Sequence, residues 1–183
     1  MAPIFKQYER DEAPESVREV YDRFFDWRQM VPASFKTLAA VPVLMKTFFD
    51  HYEQVFRYGK IPGRTKIIIG IRMTTRNKAT YCAASMMHRA RQVGIGEDVI
   101  EMLATLDCKA LPAWSKLSGP EQVAVDFADK MTFEYTQIDE AYYAPLRSHY
   151  SDEEILELSC QVGVANYINR LGMALKLSPD KNP

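Results

Sequence analysis

Between Gly59 and Gly94 the chain reads GKIPGRTKIIIGIRMTTRNKATYCAASMMHRARQVG. The part running Lys66-Ile-Ile-Ile-Gly-Ile-Arg-Met73 is ambiguous when taken alone. Three adjacent isoleucines favour a strand by propensity, and periodicity does not settle a short apolar run. No partner strand of similar quality occurs elsewhere in the 183 residues, so the run is read as a buried helix. Pro62-Gly63 marks the junction before it. Thr80 to Val93 reads as the next helix, closed by Gly94.

Helical patterns continue on both sides. Asp11 to about Met30 is a charged amphipathic stretch with Pro14 in its first turn and Val17, Val20, Tyr21, Phe24 and Phe25 inward. Pro42 suits the first turn of a long helix with Leu44, Met45, Phe48, Phe49, Tyr52, Val55 and Phe56 at helical spacings, ended by Gly59. Gly96 opens a short helix through Leu103. Ser118 with Glu121, and Ser151 with Glu154, read as capping boxes. The last helix places Ile155, Leu158, Val162 and Ala165 on one stripe and runs to about Leu177. About eight helices and no credible sheet make the fold all-α.

The chain weighs 21.0 kDa, with 47% hydrophobic and 26% charged residues and a net charge of −1. This is an ordinary globular composition, and a chain of this length buries about 70% of its unfolded surface in one core. The near-zero charge lacks the basic balance of a nucleic-acid binder. It hides an asymmetry, however. From Gln54 to Gly96 there is no Asp or Glu, while nine Lys and Arg occur there (Arg57, Lys60, Arg64, Lys66, Arg72, Arg76, Lys78, Arg89 and Arg91). Of 23 basic residues, 14 remain against 24 acidic ones elsewhere, a net of −10. Either the segment pairs with acids inside the chain or across a subunit contact, or it forms a site that attracts small anions.

No run approaches the length of a membrane span, and the opening MAPIFKQYERDE lacks the apolar core of a signal peptide. Cys82, Cys108 and Cys160 are odd in number and widely spaced. They fit free thiols in a reducing cytoplasm rather than a disulfide framework. His51, His88 and His149 show no metal-binding spacing, so no metal site is expected. Gly94-Ile-Gly96 imitates the start of a dinucleotide-binding loop, but no strand precedes it and the third glycine is missing.

The 59–94 stretch resembles the carboxymuconolactone decarboxylase and alkylhydroperoxidase D-like (AhpD-like) superfamily. That pattern places a helix after G-x-[IL]-P-x-R, then N-x-C-x-Y-C-x-x-x-H-x-x-x-A-x-x-x-G. Asn77, Tyr81, Cys82, Ala90 and Gly94 fall in register. Leu117-Ser118, Tyr150-Ser-Asp-Glu-Glu-Ile-Leu-Glu-Leu and Asn166-Tyr-Ile-Asn169-Arg170-Leu extend the resemblance over residues 35–177. It implies an AhpD-like helical bundle in a single domain, 1–183, with residues 1–34 as an N-terminal helical extension. It also implies a homo-oligomer, a trimer or hexamer, with no cofactor. The departures fall on the chemistry. The first cysteine of the pattern is Ala79, its histidine is Met86, and the glutamate on the preceding helix is Ile67. Only Cys82 survives, without a resolving thiol.

Helix geometry tests whether His88 replaces the missing histidine. At 100° per residue with Ala79 as zero, Cys82 lies at about 300°, Met86 at about 340° and Arg89 at about 280°, but His88 lies at about 180°, beside Tyr81 at about 200°. His88 is therefore a packing or interface residue, or part of a relocated site on the other face with Tyr81 and Ser85. The candidate catalytic residues are Cys82, His88, Tyr81 and His51. Arg89, Arg72, Met86 and Ile67 are the candidate substrate-binding residues.

Three functions follow. The first is a decarboxylase-like, cofactor-free enzyme acting on a small organic anion, a carboxylate or lactone, with an arginine anchor and acid/base chemistry from His or Tyr. The second is a thiol peroxidase using Cys82 alone with an external thiol. The third is a catalytically degenerate ligand-binding or structural relative. The expected partner is a small molecule, with no nucleic acid and no membrane.

Overall fold

Prolines and glycines set the helix boundaries. The computed structural model describes residues 4–177, so the outermost parts of the expected domain, 1–3 and 178–183, lie outside the described residues. After Pro14 the chain makes a 3-10 turn, Glu15–Val17, before α1 (Arg18–Arg28). The helix expected from Asp11 starts later because proline disfavours helical backbone in the residue before it. α2 spans Ala33–Leu38 and α3 spans Pro42–Phe56, with Pro42 in its first turn. Gly59, at φ +82°, turns the chain into α4 (Gly63–Arg76). α5 spans Thr80–Gln92 and stops before Gly94, at φ +75°. α6 is Glu97–Leu103, α7 is Gly119–Phe133, α8 is Tyr143–Arg147 and α9 is Asp152–Ala174. Both expected capping boxes form, Ser118 with Glu121 and Ser151 with Glu154. Among the described residues there is no strand.

The ambiguous isoleucine run is α4, the central helix. It packs against α5, α6, α7 and α9, and every residue from Thr65 to Thr74 is buried. A helix enclosed on all sides carries apolar residues all round, which is why it lacks a clear amphipathic period. Its isoleucines join two hydrophobic clusters, one with α5, α6 and α7, the other with α7, α8 and α9. A third cluster joins α1, α2 and α3 through aromatic rings. Phe24 lies 4.6 Å centroid to centroid from both Phe35 and Phe49. The residues expected as an N-terminal extension therefore share a core with α3.

Two cations on α4 are buried, and each closes the C-terminus of another helix, Lys66 that of α3 and Arg72 that of α6. Lys66 Nζ donates to the carbonyls of Val55 (2.7 Å) and Tyr58 (2.5 Å) and pairs with Glu157 (2.8 Å). Arg72 donates to the carbonyls of Leu103 (3.4 Å), Thr105 (2.5 Å) and Leu106 (2.8 Å), and makes three bonds to Asp129 (3.0, 3.0 and 2.6 Å). Orphan carbonyls at a helix end need donors, and a buried cation needs an anion. Each arrangement meets both needs at once.

The cationic segment is thus largely neutralised within the chain. Arg57 pairs with Asp26 and Glu53, Lys60 with Glu153, Arg64 with Glu121, Arg76 with Asp129 and Arg91 with Glu97. Together with Lys66 and Arg72, seven of the nine have carboxylate partners among the described residues. Lys78 and Arg89 have none.

Candidate active site

Six helices converge on a cavity of about 60 Å³ beside Cys82. Such a space holds a few water-sized groups, or the reactive end of a small molecule. α2 and α3 supply Ser34, Phe35, Tyr52 and Phe56; α4 supplies Gly70 and Thr74; α5 supplies Cys82, Ser85 and Met86; α9 supplies Ala165, Ile168 and Asn169. Arg28, the last residue of α1, closes one side with Pro32. Its guanidinium lies over the Trp27 ring (4.2 Å) and the Tyr52 ring (4.9 Å), a cation–π stack.

The walls are aromatic and apolar, but a polar group is built into them. Asn169 is 2% exposed and lines the cavity, and its amide Nδ2 has no hydrogen-bond partner. A buried donor left unmade costs about 1–3 kcal/mol, so a native fold retains one where a ligand or water completes it. Its neighbour Asn166 is satisfied: Asn166 Oδ1 accepts from Asn77 Nδ2 (2.9 Å), and Asn166 Nδ2 donates to Thr132 Oγ1 (3.2 Å). Asn77 and Asn166 therefore tie α4, α7 and α9 together, while Asn169 faces the cavity.

A second concavity of about 440 Å³ lies outside the first, between the end of α1 and α5. Arg28, Pro32 and Ser85 line both. Trp27, Gln29, His88, Arg89 and Gln92 complete this outer vestibule with Met30 and Val93, and no carboxylate lines it.

The structure separates the residues expected at one site. Cys82 and Met86 share the inner cavity. Ile67 lies behind Met86, with Arg89 at the rim of a smaller hollow between α4 and α5. His88 and Arg89 are in the vestibule, on the side that helix geometry assigned to His88. Tyr81 lies in α5, but its side chain lies outside the described residues. Two expectations are corrected. His51 is exposed on α3, turned away from the cavity that its neighbour Tyr52 lines. Arg72 is 2% exposed, and all its donors are committed to Asp129 and three carbonyls, so it has none to offer a substrate.

The other thiols lie elsewhere. Cys108 is buried, and burial pushes its thiol up from the ordinary range. Cys160, on α9, is exposed. Phe24, expected on the inward face of the first helix, is fully buried. Among the described residues no group of three or more His, Cys, Asp or Glu is disposed to hold a metal ion, and no helix is long and apolar enough to cross a membrane.

The arrangement of helices can be compared with solved structures. An uncharacterised peroxidase-related protein from Silicibacter sp. TM1040 superposes with a TM-score of 0.83 at 23% identity, over 99% of this chain and 94% of that one. A protein from Ralstonia eutropha JMP134, described as an alkylhydroperoxidase AhpD core and as peroxidase-related, gives 0.84 at 20% identity, over 99% and 95%. The chain has the AhpD-like fold. The debrominase Bmp8 shares it as well, with a TM-score of 0.78 at 18% identity over 99% and 94%; that structure is of a cysteine-to-alanine variant in complex with 2,3,4-tribromopyrrole. By sequence, no family model and no curated protein matches the chain.

Within this AhpD-like frame, sequence reasoning missed Arg28, Tyr52 and Phe35 as site residues. They come from the first three helices, and of the three only Tyr52 was marked by its helical spacing, as a core position. The one available signal was the Trp27-Arg28 pair just before Pro32, where a chain reversal brings an arginine back over aromatic side chains.

Proposed function

We propose that the protein is a one-cysteine thiol enzyme acting on a small organic molecule held beside Cys82, with organic hydroperoxides as the substrate class. The supporting observation is the content of the inner cavity. It holds one thiol, an unpartnered buried amide donor on Asn169 and aromatic walls, with no second thiol, carboxylate or imidazole among its lining residues. The peroxidase-related AhpD-like neighbours favour the same substrate class. The tribromopyrrole complex of the debrominase supports a small, flat organic occupant.

In the proposed reaction the Cys82 thiolate attacks the terminal peroxide oxygen. The O–O bond breaks, the alcohol leaves with a proton, and Cys82 becomes a sulfenic acid. One external thiol condenses with it and releases water. A second thiol then displaces Cys82, which returns as a thiol, while the two external thiols depart as a disulfide. In this reading the unpartnered Asn169 Nδ2 donates to an oxygen of the bound molecule. Acid/base chemistry on a carboxylate or lactone has less support, because His51 is exposed and His88 lies in the vestibule.

The test is consumption of cumene hydroperoxide with dithiothreitol as reductant. Wild-type protein is expected to turn over and Cys82→Ser to be inactive. Turnover that survives Cys82→Ser, or wild-type rates no higher than those of the reductant alone, overturns the proposal.

A further inference from the structure

We infer that the vestibule between α1 and α5 is a carboxylate subsite, so that the molecules reaching Cys82 are organic acids whose apolar end enters the inner cavity. The inference depends on the thiol proposal only for what happens at that apolar end; the subsite itself rests on charge and geometry.

Three observations carry it. First, seven of nine cations between Gln54 and Gly96 are paired with carboxylates, whereas the Arg89 side chain, like that of Lys78, makes no ion pair among the described residues, and Arg89 alone of these two lines the vestibule. It is half-buried at the vestibule wall, not extended into solvent. Second, the vestibule is rich in donors and empty of acids. Arg89, His88, Gln92 and Gln29 line it with Arg28, and none of its lining residues is Asp or Glu. A guanidinium matches a carboxylate with two parallel hydrogen bonds, and carboxamide and imidazole N–H groups add donors. Third, the vestibule adjoins the cavity that holds the thiol. Arg28, Pro32 and Ser85 line both spaces, and beyond them lie the apolar and aromatic walls around Cys82. Charge at one end and apolar surface at the other define an amphipathic ligand. A short-chain carboxylate fits both.

Titration calorimetry with hexanoate, against 1-hexanol as the uncharged control, tests the subsite without turnover. Hexanoate is expected to bind saturably and hexanol more than tenfold more weakly. Arg89→Gln is expected to lower hexanoate affinity roughly tenfold, the loss of a charge-assisted contact. Arg89→Lys should recover part of that loss, and Arg91→Gln, on a surface cation already paired with Glu97, should leave affinity unchanged. Cys82→Ser should still bind hexanoate, so failure of the thiol chemistry and failure of the subsite give different results. No saturable binding, equal affinity for hexanol, or an unchanged affinity in Arg89→Gln overturns the inference. A second readout uses the thiol itself. In a Cys160→Ser background, which removes the exposed competitor, the ratio of Cys82 alkylation by iodoacetate to that by iodoacetamide should exceed the ratio for glutathione and fall in Arg89→Gln. A ratio equal to that of glutathione, or Cys82 inert to iodoacetate, counts against the inference.

Discussion

Arg72 and Arg89 come from one acid-free run of sequence, and the fold uses them in opposite ways. Arg72 faces the interior of α4, where its guanidinium closes the end of α6 and meets Asp129. Arg89 faces the vestibule on α5, where no carboxylate reaches it. Lys66 follows the Arg72 pattern, closing α3 and meeting Glu157. The difference shows that a stretch of like charge is not one feature. Where it turns inward it holds helix ends together, and only where it turns toward a concavity does it remain available to a ligand.

Removing Arg72 should break this contrast most sharply. Arg72→Met leaves Asp129 with Arg76 and strips donors from three carbonyls, and is expected to lower stability by about 3–5 kcal/mol. The measurement is the urea midpoint, with hexanoate affinity of the remaining folded protein unchanged. A loss below about 1 kcal/mol would erase the structural side of the contrast.

Gly70→Ala probes the boundary between helix packing and cavity. A methyl there would meet Met86 Sδ at 2.7 Å. The thioether is flexible and can swing away, and alanine favours the helix by about 0.5–1 kcal/mol. Stability should change by less than about 1 kcal/mol, while the displaced Met86 narrows the Cys82 cavity and slows alkylation of Cys82. A large loss of stability with unchanged alkylation would show that Met86 cannot move.

Arg89→Gln sharpens the other side. With no ion pair to lose, it should alter stability by no more than about 0.5 kcal/mol, read as an unchanged urea midpoint beside weakened hexanoate binding. A destabilisation like that of Arg72→Met would place Arg89 among the clamps.

The smallest effect concerns the exposed pairs around α6 and α7. Hydrogen bonds from Arg91, Lys116 and Lys130 hold the carboxyls of Glu97, Asp98 and Glu134 below their usual range. A lowered folded-state pKa contributes stability above the ordinary carboxylate range, and that contribution is lost as pH falls through the lowered values. The urea midpoint should therefore drop slightly from pH 6 to pH 3.5, and added salt should diminish this part of the change because exposed pairs are screened. A midpoint that rises on acidification would contradict the pairing.

Much of the fold was legible in the chain. The capping boxes at Ser118 and Ser151, Pro42 in the first turn of α3, and Gly59 and Gly94 past helix ends all act within a few residues. Local backbone chemistry decides them. α4 was harder, because a helix buried on every side loses the period that identifies it. Its assignment rested on the absence of a second strand. The site was legible in halves. Cys82 and Met86 were placed on one face of α5 and His88 on another by helix geometry alone, and the structure keeps that separation. Arg28, Phe35 and Tyr52 were not readable as site residues, since their approach to Cys82 depends on how α1, α2 and α3 fold over α5. Asn169 was visible only as part of the Asn166-Tyr-Ile-Asn169 stretch, and its empty donor is a property of the packed interior.

The sequence by itself determined the helical architecture, the single cysteine of the helix after the isoleucine run, and the clustering of cations between Gln54 and Gly96. Each is a matter of residue identity and short-range spacing. Only the tertiary structure decided which of those cations are neutralised. Apart from the local partners Glu53 and Glu97, their carboxylates, Asp26, Glu121, Asp129, Glu153 and Glu157, stand far away along the chain, and no local rule brings them near. Ion pairing depends on distance in space, and that is why Arg72 became a clamp and Arg89 remained on the vestibule wall.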